Sequence, residues 1–478
     1  MSAEAVRVAL PRGKLRAPLA EQLRAVDFVA EGYGEGSRTY RFEVTGRPGV
    51  EVRVFSDEDT PIQVALGNYD LAICSRAWVD ELLVRYRHES IVPLRALELA
   101  SEPVVIAGAP GASLEAMAAA GPVRVATEYP NLAHHVLTRL RIPNVRLFEV
   151  WAQAEAWPPD DAELAIGLKS DLERDGLEML AEAHRGGVWL IGNRESLARR
   201  DLGAALAPLM ALPLGASAQP GRMGGVVSPA PLQLGPVRST AVQPERQTFR
   251  IAVPDGHAQR HTVAALAEAG IEFEGYSEQR AERWPRSSMA GVEVKVMRPQ
   301  DMPRAVALGG FDLALTGQDW LGVFEALFPG APVTQLCDLR RSNYKLGAVV
   351  SEDLPAKTMA EAIAYWRRDD PGRTIRLASE YASLADRYAL DHHLGRYRVI
   401  PLSGASEGFV PEDAEILIEG TETGTTLRAN RLRMIDVIME STNCAIGHTT
   451  RPPGRRGELR DEFIERLTAA GTPAGQER

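Results

Sequence analysis

The stretch DTPIQVALGNYDLAICSRAW at residues 59–78 returns as DMPRAVALGGFDLALTGQDW at residues 301–320, a shift of 242. Other blocks repeat in the same order. VRVALPRG at 6–13 matches FRIAVPDG at 249–256, and VRVATEYPNL at 123–132 matches IRLASEYASL at 375–384. Ordered blocks with small insertions between them indicate a tandem duplication.

Each copy alternates short apolar runs with helix-like stretches. VEVRVF (50–55) and VEVKVM (292–297) indicate strands, and Pro61 and Pro303 suit the first turn of a helix. Strands that alternate with helices predict an α/β fold with mostly parallel sheets, two lobes per copy, and a ligand cleft between the lobes. Asp70 and Asp312, each after an aromatic residue, are expected to end or cap strands.

The repeat also sets the expected domains. Residues 1–212 form copy one and 248–450 form copy two, while the Pro/Gly-rich segment 213–247 is expected to be a linker. Residues 451–478 should hold one short helix, from Leu459 to Ala469, and a tail.

Composition narrows the function classes. The 478 residues carry a net charge of -10 and no basic block, which argues against nucleic-acid binding. Three scattered cysteines suggest neither disulfides nor a cysteine-rich zinc site. The N-terminus lacks signal-peptide order and no apolar run reaches membrane-spanning length, so a cytoplasmic protein without membrane contact is expected. The pairs His134-His135 and His392-His393 are expected to be surface or half-buried residues rather than metal ligands.

The motif most informative about function is DAEILIEGTETGTTLRAN, residues 413–430 of copy two. An apolar strand leads into a loop where Gly424 lets the backbone approach a ligand, and a helix is expected from Leu427 to Met434. Glu415 and Glu419 precede the loop and suit ribose hydroxyls or Mg²⁺. The hydroxyl side chains around the glycine are Thr421, Thr423, Thr425 and Thr426. The alternative is a threonine-rich helix cap without a ligand.

The loop resembles the phosphoribosyl-pyrophosphate loop of the ATP phosphoribosyltransferase family, which opens histidine biosynthesis. ALPRGKL (9–15), RPQDMPRAVALGGFDLALTGQDW (298–320) and ATEYPNL (126–132) are similar to further blocks of that family. The loop residues that carry the resemblance are Glu419, Thr423, Gly424, Thr426, Leu427, Arg428, Asn430 and Leu432. Glutamates replace the aspartates expected before the loop, and Arg12 and Lys14 exchange the usual order of Lys and Arg.

This resemblance implies a two-lobed unit similar to the type II periplasmic binding proteins and a glycosyltransferase of the phosphoribosyltransferase type. In the reaction, N1 of the ATP adenine displaces pyrophosphate from phosphoribosyl pyrophosphate, with Mg²⁺ as the implied cofactor. Arg298, Arg12 and Lys14 are candidates for the departing pyrophosphate. Glu407 is expected near the ribose, Tyr381 is a candidate to stack on adenine, and Asp319 is a further substrate-binding candidate.

The copies have lost different motifs. Copy one keeps Arg12 and Lys14, where copy two has Asp255, and its phosphate loop is replaced by GLKSDLERDGLEML at 167–180. Either the copies pair as an intramolecular pseudo-dimer with a composite site, or copy two acts alone. The histidine-binding domain of long family members is expected to be absent. A further homo-oligomer or an accessory regulatory subunit therefore remains an alternative. A non-catalytic ligand-binding or regulatory pseudoenzyme is the rival function.

Overall fold

The computed structural model describes residues 5–34, 39–85, 90–142, 144–215, 225–227, 230–232, 246–404 and 406–470. Most of the predicted linker and the tail after residue 470 lie outside these ranges. Within them, no helix is long and apolar enough to cross a membrane.

Copy one contains two sheets with helices packed between and around them. Its strands are β1 (Val6–Pro11), β2 (Arg41–Glu43), β3 (Val50–Phe55), β4 (Leu71–Ser75), β5 (Ile91–Leu97), β6 (Val104–Gly108), β7 (Val123–Thr127), β8 (Val145–Glu149), β9 (Leu164–Leu168), β10 (Glu178–His184) and β11 (Val188–Asn193). Its helices are α1 (Arg16–Ala25), α2 (Thr60–Ala65), α3 (Arg76–Arg85), α4 (Leu114–Ala120), α5 (Pro130–Arg139), α6 (Lys169–Arg174), α7 (Arg194–Arg199) and α8 (Gly203–Met210).

Copy two repeats this plan and adds a hairpin and a C-terminal helix. Its strands are β12 (Phe249–Pro254), β13 (Phe273–Tyr276), β14 (Ala281–Ser287), β15 (Val292–Met297), β16 (Leu313–Gly317), β17 (Val333–Asp338), β18 (Tyr344–Ser351), β19 (Ile375–Ser379), β20 (Tyr397–Pro401), β21 (Ile416–Thr421), β22 (Leu432–Ser441) and β23 (Asn443–His448). Its helices are α9 (His257–Glu268), α10 (Met302–Ala307), α11 (Gln318–Leu327), α12 (Met359–Trp366), α13 (Ala382–Asp391), α14 (Thr425–Ala429) and α15 (Gly454–Ala470).

Sheet topology confirms the two-lobed α/β duplication. Lobe I is the sheet β2-β3-β1-β4-β11-β5 in copy one and β15-β12-β16-β23-β17 in copy two. Lobe II is β10-β6-β9-β7-β8 in copy one and β20-β19-β21-β18-β22 in copy two, the same order read from the other edge. Each sheet has parallel pairs around β1, β7, β12 or β19 and is completed by antiparallel strands.

Asp70 and Asp312, which were expected to end or cap strands, stand directly before β4 and β16 and each hold the first strand of their copy. The Asp70 carboxylate accepts the backbone N–H of Arg7 at 2.8 Å, and Asp312 accepts that of Arg250 at 2.9 Å. Each carboxylate therefore locks the loop before its own strand, β4 or β16, against the central strand of lobe I.

The two copies pack against each other as an intramolecular pseudo-dimer. Asp161 of copy one pairs with Arg250 at 2.7 Å and with Lys295 at 2.6 Å, both buried in copy two. In the reverse direction, buried Asp413 of copy two pairs with Arg7 at 2.6 Å. Two hydrophobic clusters also draw side chains from both copies. The buried carboxylates of Asp161 and Asp413 are thus neutralised by basic side chains of the other copy.

The predicted C-terminal end of the helix after the threonine stretch is wrong. The helix expected from Leu427 to Met434 stops at Ala429, because β22 begins at Leu432 and pairs with β18. Arg431 at the reversal has φ +55°, a left-handed conformation that a continuing helix excludes. The helix expected from Leu459 to Ala469 lies within α15.

Candidate active site

A cleft of about 450 Å³ opens between the two lobes of copy two. The described residues that line it all belong to copy two. Its lining includes Asp255, His257, Arg298 and Asp319 from lobe I, and Tyr381, Thr421, Glu422, Thr423 and Thr426 from lobe II. Loops at the ends of strands from both lobes therefore meet at one polar cavity, the usual ligand position in such sheets.

The threonine loop connects β21 to α14. Gly424 has φ +69° and caps the five-residue helix, while its N–H donates to the Thr421 hydroxyl at 2.8 Å. The Thr423 and Thr425 hydroxyls are 2.9 Å apart, and Arg428 donates to the Thr423 carbonyl at 3.0 Å. The loop is thus pre-shaped with several hydroxyls and N–H groups near the cleft, an arrangement suited to an anion.

Asp319 is the centre of a buried network on the opposite wall. Its carboxylate accepts the Ser441 hydroxyl at 3.0 Å and the Tyr381 hydroxyl at 3.1 Å. Burial raises the pKa of Asp319, against these two hydrogen bonds. One face of the Tyr381 ring stacks on Trp320 with centroids 4.6 Å apart, and Tyr344 lies 2.8 Å from its hydroxyl. Tyr381 therefore reaches the cleft with a ring that is already packed on one side.

Arg298 enters the cleft beside an acidic neighbour. Its Nη1 lies 3.5 Å from Asp255 Oδ1, and its side chain is 38% exposed. Asp255 stands at the position of Arg12 in copy one. The cationic position of copy one has therefore become a carboxylate that holds Arg298 in copy two.

Behind the loop, three glutamates of copy two share one region. Burial, together with the negative charges of the neighbouring Glu380 and Glu407, raises the pKa of Glu419 to about 8. Ser406 donates to Glu419, and the Gly420 N–H donates to its Oε1 at 2.9 Å. Free of ligand, Glu419 thus holds its proton near neutral pH.

Arg12 of copy one approaches this acidic region across the contact between the copies. Its Nη2 is 3.5 Å from the Ser403 carbonyl oxygen. Burial raises the pKa of Glu380, and the positive charge of Arg12 opposes that rise. Lys14 points elsewhere, because its Nζ lies 3.4 Å from Asp171 of copy one and its side chain is 70% exposed. The two cations of the ALPRGKL block are therefore separated, and only Arg12 is seen to reach copy two.

Besides Arg12 and Lys14, the predicted site residues that do not line the cleft are Glu407, Glu415, Glu419, Gly424, Thr425 and Leu427. Two of these, Glu415 and Leu427, have structural roles. Glu415 precedes the first residue of β21, at the opposite end from the threonine loop, and pairs with Arg373 at 2.7 Å and Arg376 at 2.8 Å. Although burial alone would raise its pKa, these arginines hold the pKa of Glu415 below its ordinary value. The Leu427 side chain is 4% exposed and belongs to the hydrophobic cluster between the copies. Both side chains therefore support the fold around the cleft without facing it.

The same region of copy one has no comparable loop. β9 leads directly into α6, whose Asp171 also contacts Arg174. Carboxylates at 171, 173 and 175 would repel a phosphate placed there. The lobes of copy one thus keep the fold around the site without the threonine loop.

Comparison with known proteins identifies the family. The HisG model, described as ATP phosphoribosyltransferase, matches residues 56–210 and 298–469, which is more than half of the chain. The chain belongs to the ATP phosphoribosyltransferase family.

Individual family members align with less than half of the chain. The ATP phosphoribosyltransferase of Chlorobium chlorochromatii is 31% identical over 206 residues, covering 43% of this chain and 65% of that protein. The Koribacter versatilis protein of the same name is 31% identical over 212 residues, covering 42% of the chain and 65% of that protein. The chain thus spans just under two thirds of these relatives' length. Among solved structures, the Thermotoga maritima HisG:HisZ complex aligns with 20% identity and a TM-score of 0.37, over 47% of this chain and 98% of that one.

A group of candidate metal ligands that was not predicted from the sequence lies beside this cleft. Within the described residues, His257, His261 and Glu422 form the one group of at least three candidate ligands whose atoms lie close enough to share an ion. The sequence shows only part of this group, namely two histidines four residues apart that follow Gly256. Two imidazoles do not fit Mg²⁺, the cofactor that the family resemblance implies, since Mg²⁺ prefers oxygen ligands and octahedral geometry. The protein therefore offers no dedicated Mg²⁺ cage in its described part.

Proposed function

We propose that the chain is an ATP phosphoribosyltransferase whose reaction takes place in the cleft of copy two. N1 of the ATP adenine attacks the anomeric carbon of phosphoribosyl pyrophosphate, the bond to pyrophosphate breaks, and phosphoribosyl-ATP forms. The observation that carries the proposal is the meeting of the threonine loop with Arg298, Asp319 and Tyr381 in one cavity. Such a reaction needs positioning and charge neutralisation rather than a covalent intermediate.

The threonine loop is proposed to bind the 5′-phosphate of the phosphoribosyl group. Its hydroxyls and N–H groups can donate to the three terminal phosphate oxygens, and Gly424 keeps the backbone free of a side chain at the closest approach. Glu419 and Glu407, at the base of the loop, are proposed to accept the ribose hydroxyls. A protonated Glu419 would have to lose its proton or donate it when the sugar binds.

Arg298 is proposed to neutralise the departing pyrophosphate. Asp255 holds its guanidinium in the free protein at 3.5 Å, a long and partly exposed contact that a diphosphate can replace. Mg²⁺ is proposed to enter on the phosphates of the substrate. Asp319, fixed by Ser441 and Tyr381, is proposed to orient the wall on which adenine packs.

The proposal is tested by incubating the full chain with ATP, phosphoribosyl pyrophosphate and Mg²⁺ and following phosphoribosyl-ATP by its ultraviolet absorbance. We expect product from the natural chain and a loss of turnover of about 100-fold or more in Arg298→Ala. Arg199→Ala, which removes an exposed surface arginine paired with the exposed Glu195 in copy one, is the matched control. Binding of both substrates without turnover would support the rival pseudoenzyme instead.

The contribution of copy one is tested by two neighbouring substitutions. Arg12→Ala removes the charge that acts on Glu380, a neighbour of Glu407, whereas Lys14→Ala removes one that faces Asp171. We propose that Arg12 limits repulsion between these glutamates and the phosphates, so Arg12→Ala should raise KM for phosphoribosyl pyrophosphate and Lys14→Ala should not. Equal effects of the two substitutions would contradict a specific role for Arg12.

A further inference from the structure

Two imidazoles and one carboxylate converge at the mouth of the copy-two cleft. His257 and His261 lie one turn apart on α9, which packs on lobe I. Glu422 follows β21 of lobe II and begins the threonine loop. His257 Nε2 is 3.5 Å from Glu422 Oε2, and His261 Nε2 is 3.2 Å from Glu422 Oε1. The candidate ligand atoms of all three residues lie within 4.8 Å of one another.

The two histidine–glutamate separations are close to the edges of a tetrahedral metal site. With metal–nitrogen and metal–oxygen bonds of about 2.0–2.2 Å, neighbouring ligand atoms around a tetrahedral ion stand roughly 3.3–3.6 Å apart. Imidazole nitrogens favour zinc, cobalt, nickel or copper over the oxygen-preferring Mg²⁺ and Ca²⁺. We propose that His257, His261 and Glu422 bind a divalent transition metal ion of the zinc type. This site does not depend on the proposed function.

The positively charged side chain of Arg260 already contacts all three candidate ligands. The Arg260 guanidinium donates to His261 Nε2 at 3.1 Å and lies 3.0 Å from Glu422 Oε2. It is also 3.4 Å from His257 Nε2. The three ligand atoms are therefore aimed at one positively charged point. The Arg260 side chain is 53% exposed, so it can turn into solvent and leave the place to a metal ion.

The surroundings suit a site with an open position. The Ser342 hydroxyl donates to Glu422 Oε1 at 3.1 Å and so orients the carboxylate, as outer partners of metal ligands do. His257 and Glu422 both line the cleft. A fourth ligand would come from the cleft, either water or an oxygen of a bound phosphate. Because its protein ligands come from both lobes, the ion would also bridge lobe I to lobe II.

The test uses the full chain, stripped with a chelator and returned to phosphate-free buffer. Titration with Zn²⁺ alone by calorimetry, and with Co²⁺ alone by visible absorption, should each give one ion per chain. His257→Ala, His261→Ala and Glu422→Gln should each weaken binding by more than about tenfold. His392→Ala is the control, because His392 is a comparably placed helix-end histidine that faces Asp436 at 3.3 Å.

Arg260→Ala provides a second and opposite readout. If the guanidinium competes for the metal position, its removal should tighten Zn²⁺ binding, and circular dichroism should show that all variants remain folded. The proposal is overturned if the folded natural chain binds no Zn²⁺ or Co²⁺. It is equally overturned if binding survives in His257→Ala, His261→Ala and Glu422→Gln, or if His392→Ala weakens it as much as they do.

Discussion

Replacing Gly424 with alanine tests whether the left-handed turn of the threonine loop is needed for phosphate binding. Gly424 has φ +69°, and a Cβ placed there would lie 3.0 Å from Arg428 Nη1, the mobile end of an exposed side chain. Steric contact is therefore a small part of the effect. The main part is the left-handed conformation, which disfavours an L-residue by about 1–2 kcal/mol.

Because the loop around Gly424 is largely exposed, the Gly424→Ala loop can relax in the free protein and must return to the left-handed turn when it binds phosphate. A penalty of about 1–2 kcal/mol corresponds to a roughly 5- to 30-fold weaker affinity for phosphoribosyl pyrophosphate. Calorimetric titration with this ligand measures the change. Gly424→Asn should bind more tightly than Gly424→Ala, since asparagine tolerates the left-handed region.

Gly309 is a matched control. It has φ +77°, a Cβ added to it would meet no atom within 4 Å, and it follows α10 outside the cleft lining. Gly309→Ala should carry the same backbone strain and lower the melting temperature without changing the affinity for phosphoribosyl pyrophosphate. If Gly424→Ala binds as tightly as Gly309→Ala, the loop does not bind the phosphate in its left-handed conformation.

Three further predictions concern the surroundings of the site. Asp161→Asn should lower the free energy of unfolding by about 3–5 kcal/mol in urea titrations, because it leaves buried Lys295 without its partner; an unchanged midpoint would contradict the pairing. Since the folded pKa of Glu419 is about 8 against an ordinary 4.5, its stabilising contribution is complete below about pH 4.5 and lost as the pH rises towards 8. Glu419→Gln should therefore flatten the melting temperature between pH 5 and 8, and parallel pH profiles would refute this. Residues 248–478 expressed alone should aggregate in gel filtration, whereas a folded, fully active fragment would remove any need for copy one.

Several parallel strands of both copies could be predicted from the sequence because each is a short apolar run beside a recognisable turn. VEVRVF and VEVKVM form β3 and β15 over the predicted residues. The antiparallel strands that complete each sheet, such as β11 and β23, were not predicted. Each pairs with a strand more than a hundred residues away, β4 or β16, so nothing in its local pattern distinguishes it from other apolar segments.

The part of the candidate site that could be predicted is the threonine loop, because its residue types themselves indicate phosphate binding. Thr421, Thr423 and Thr426 line the cleft together with Arg298. Glu415 was assigned to the same site because it precedes the same strand, but a strand of six residues separates it from the loop by about 20 Å. Sequence distance does not reveal which end of a strand faces the ligand.

The histidine–glutamate group could not be assembled from the sequence for a related reason. His261 and Glu422 are far apart along the chain and come from different lobes. The helical spacing of His257 and His261 is visible, yet it provides only two ligands. The third depends on how the lobes of copy two face each other, which is a property of the folded cleft.

The pseudo-dimer explains why copy one can lack a phosphate loop and still be needed. Lys295 and Arg250 of copy two are buried, and their carboxylate partner, Asp161, belongs to copy one. Asp413 of copy two depends on Arg7 in the same way. Removing a partner from a buried charge costs more than the pair itself contributes, so each copy completes the fold of the other. Loss of the loop in copy one removes a surface feature, whereas loss of its lobe would leave the candidate active site of copy two on an incomplete core.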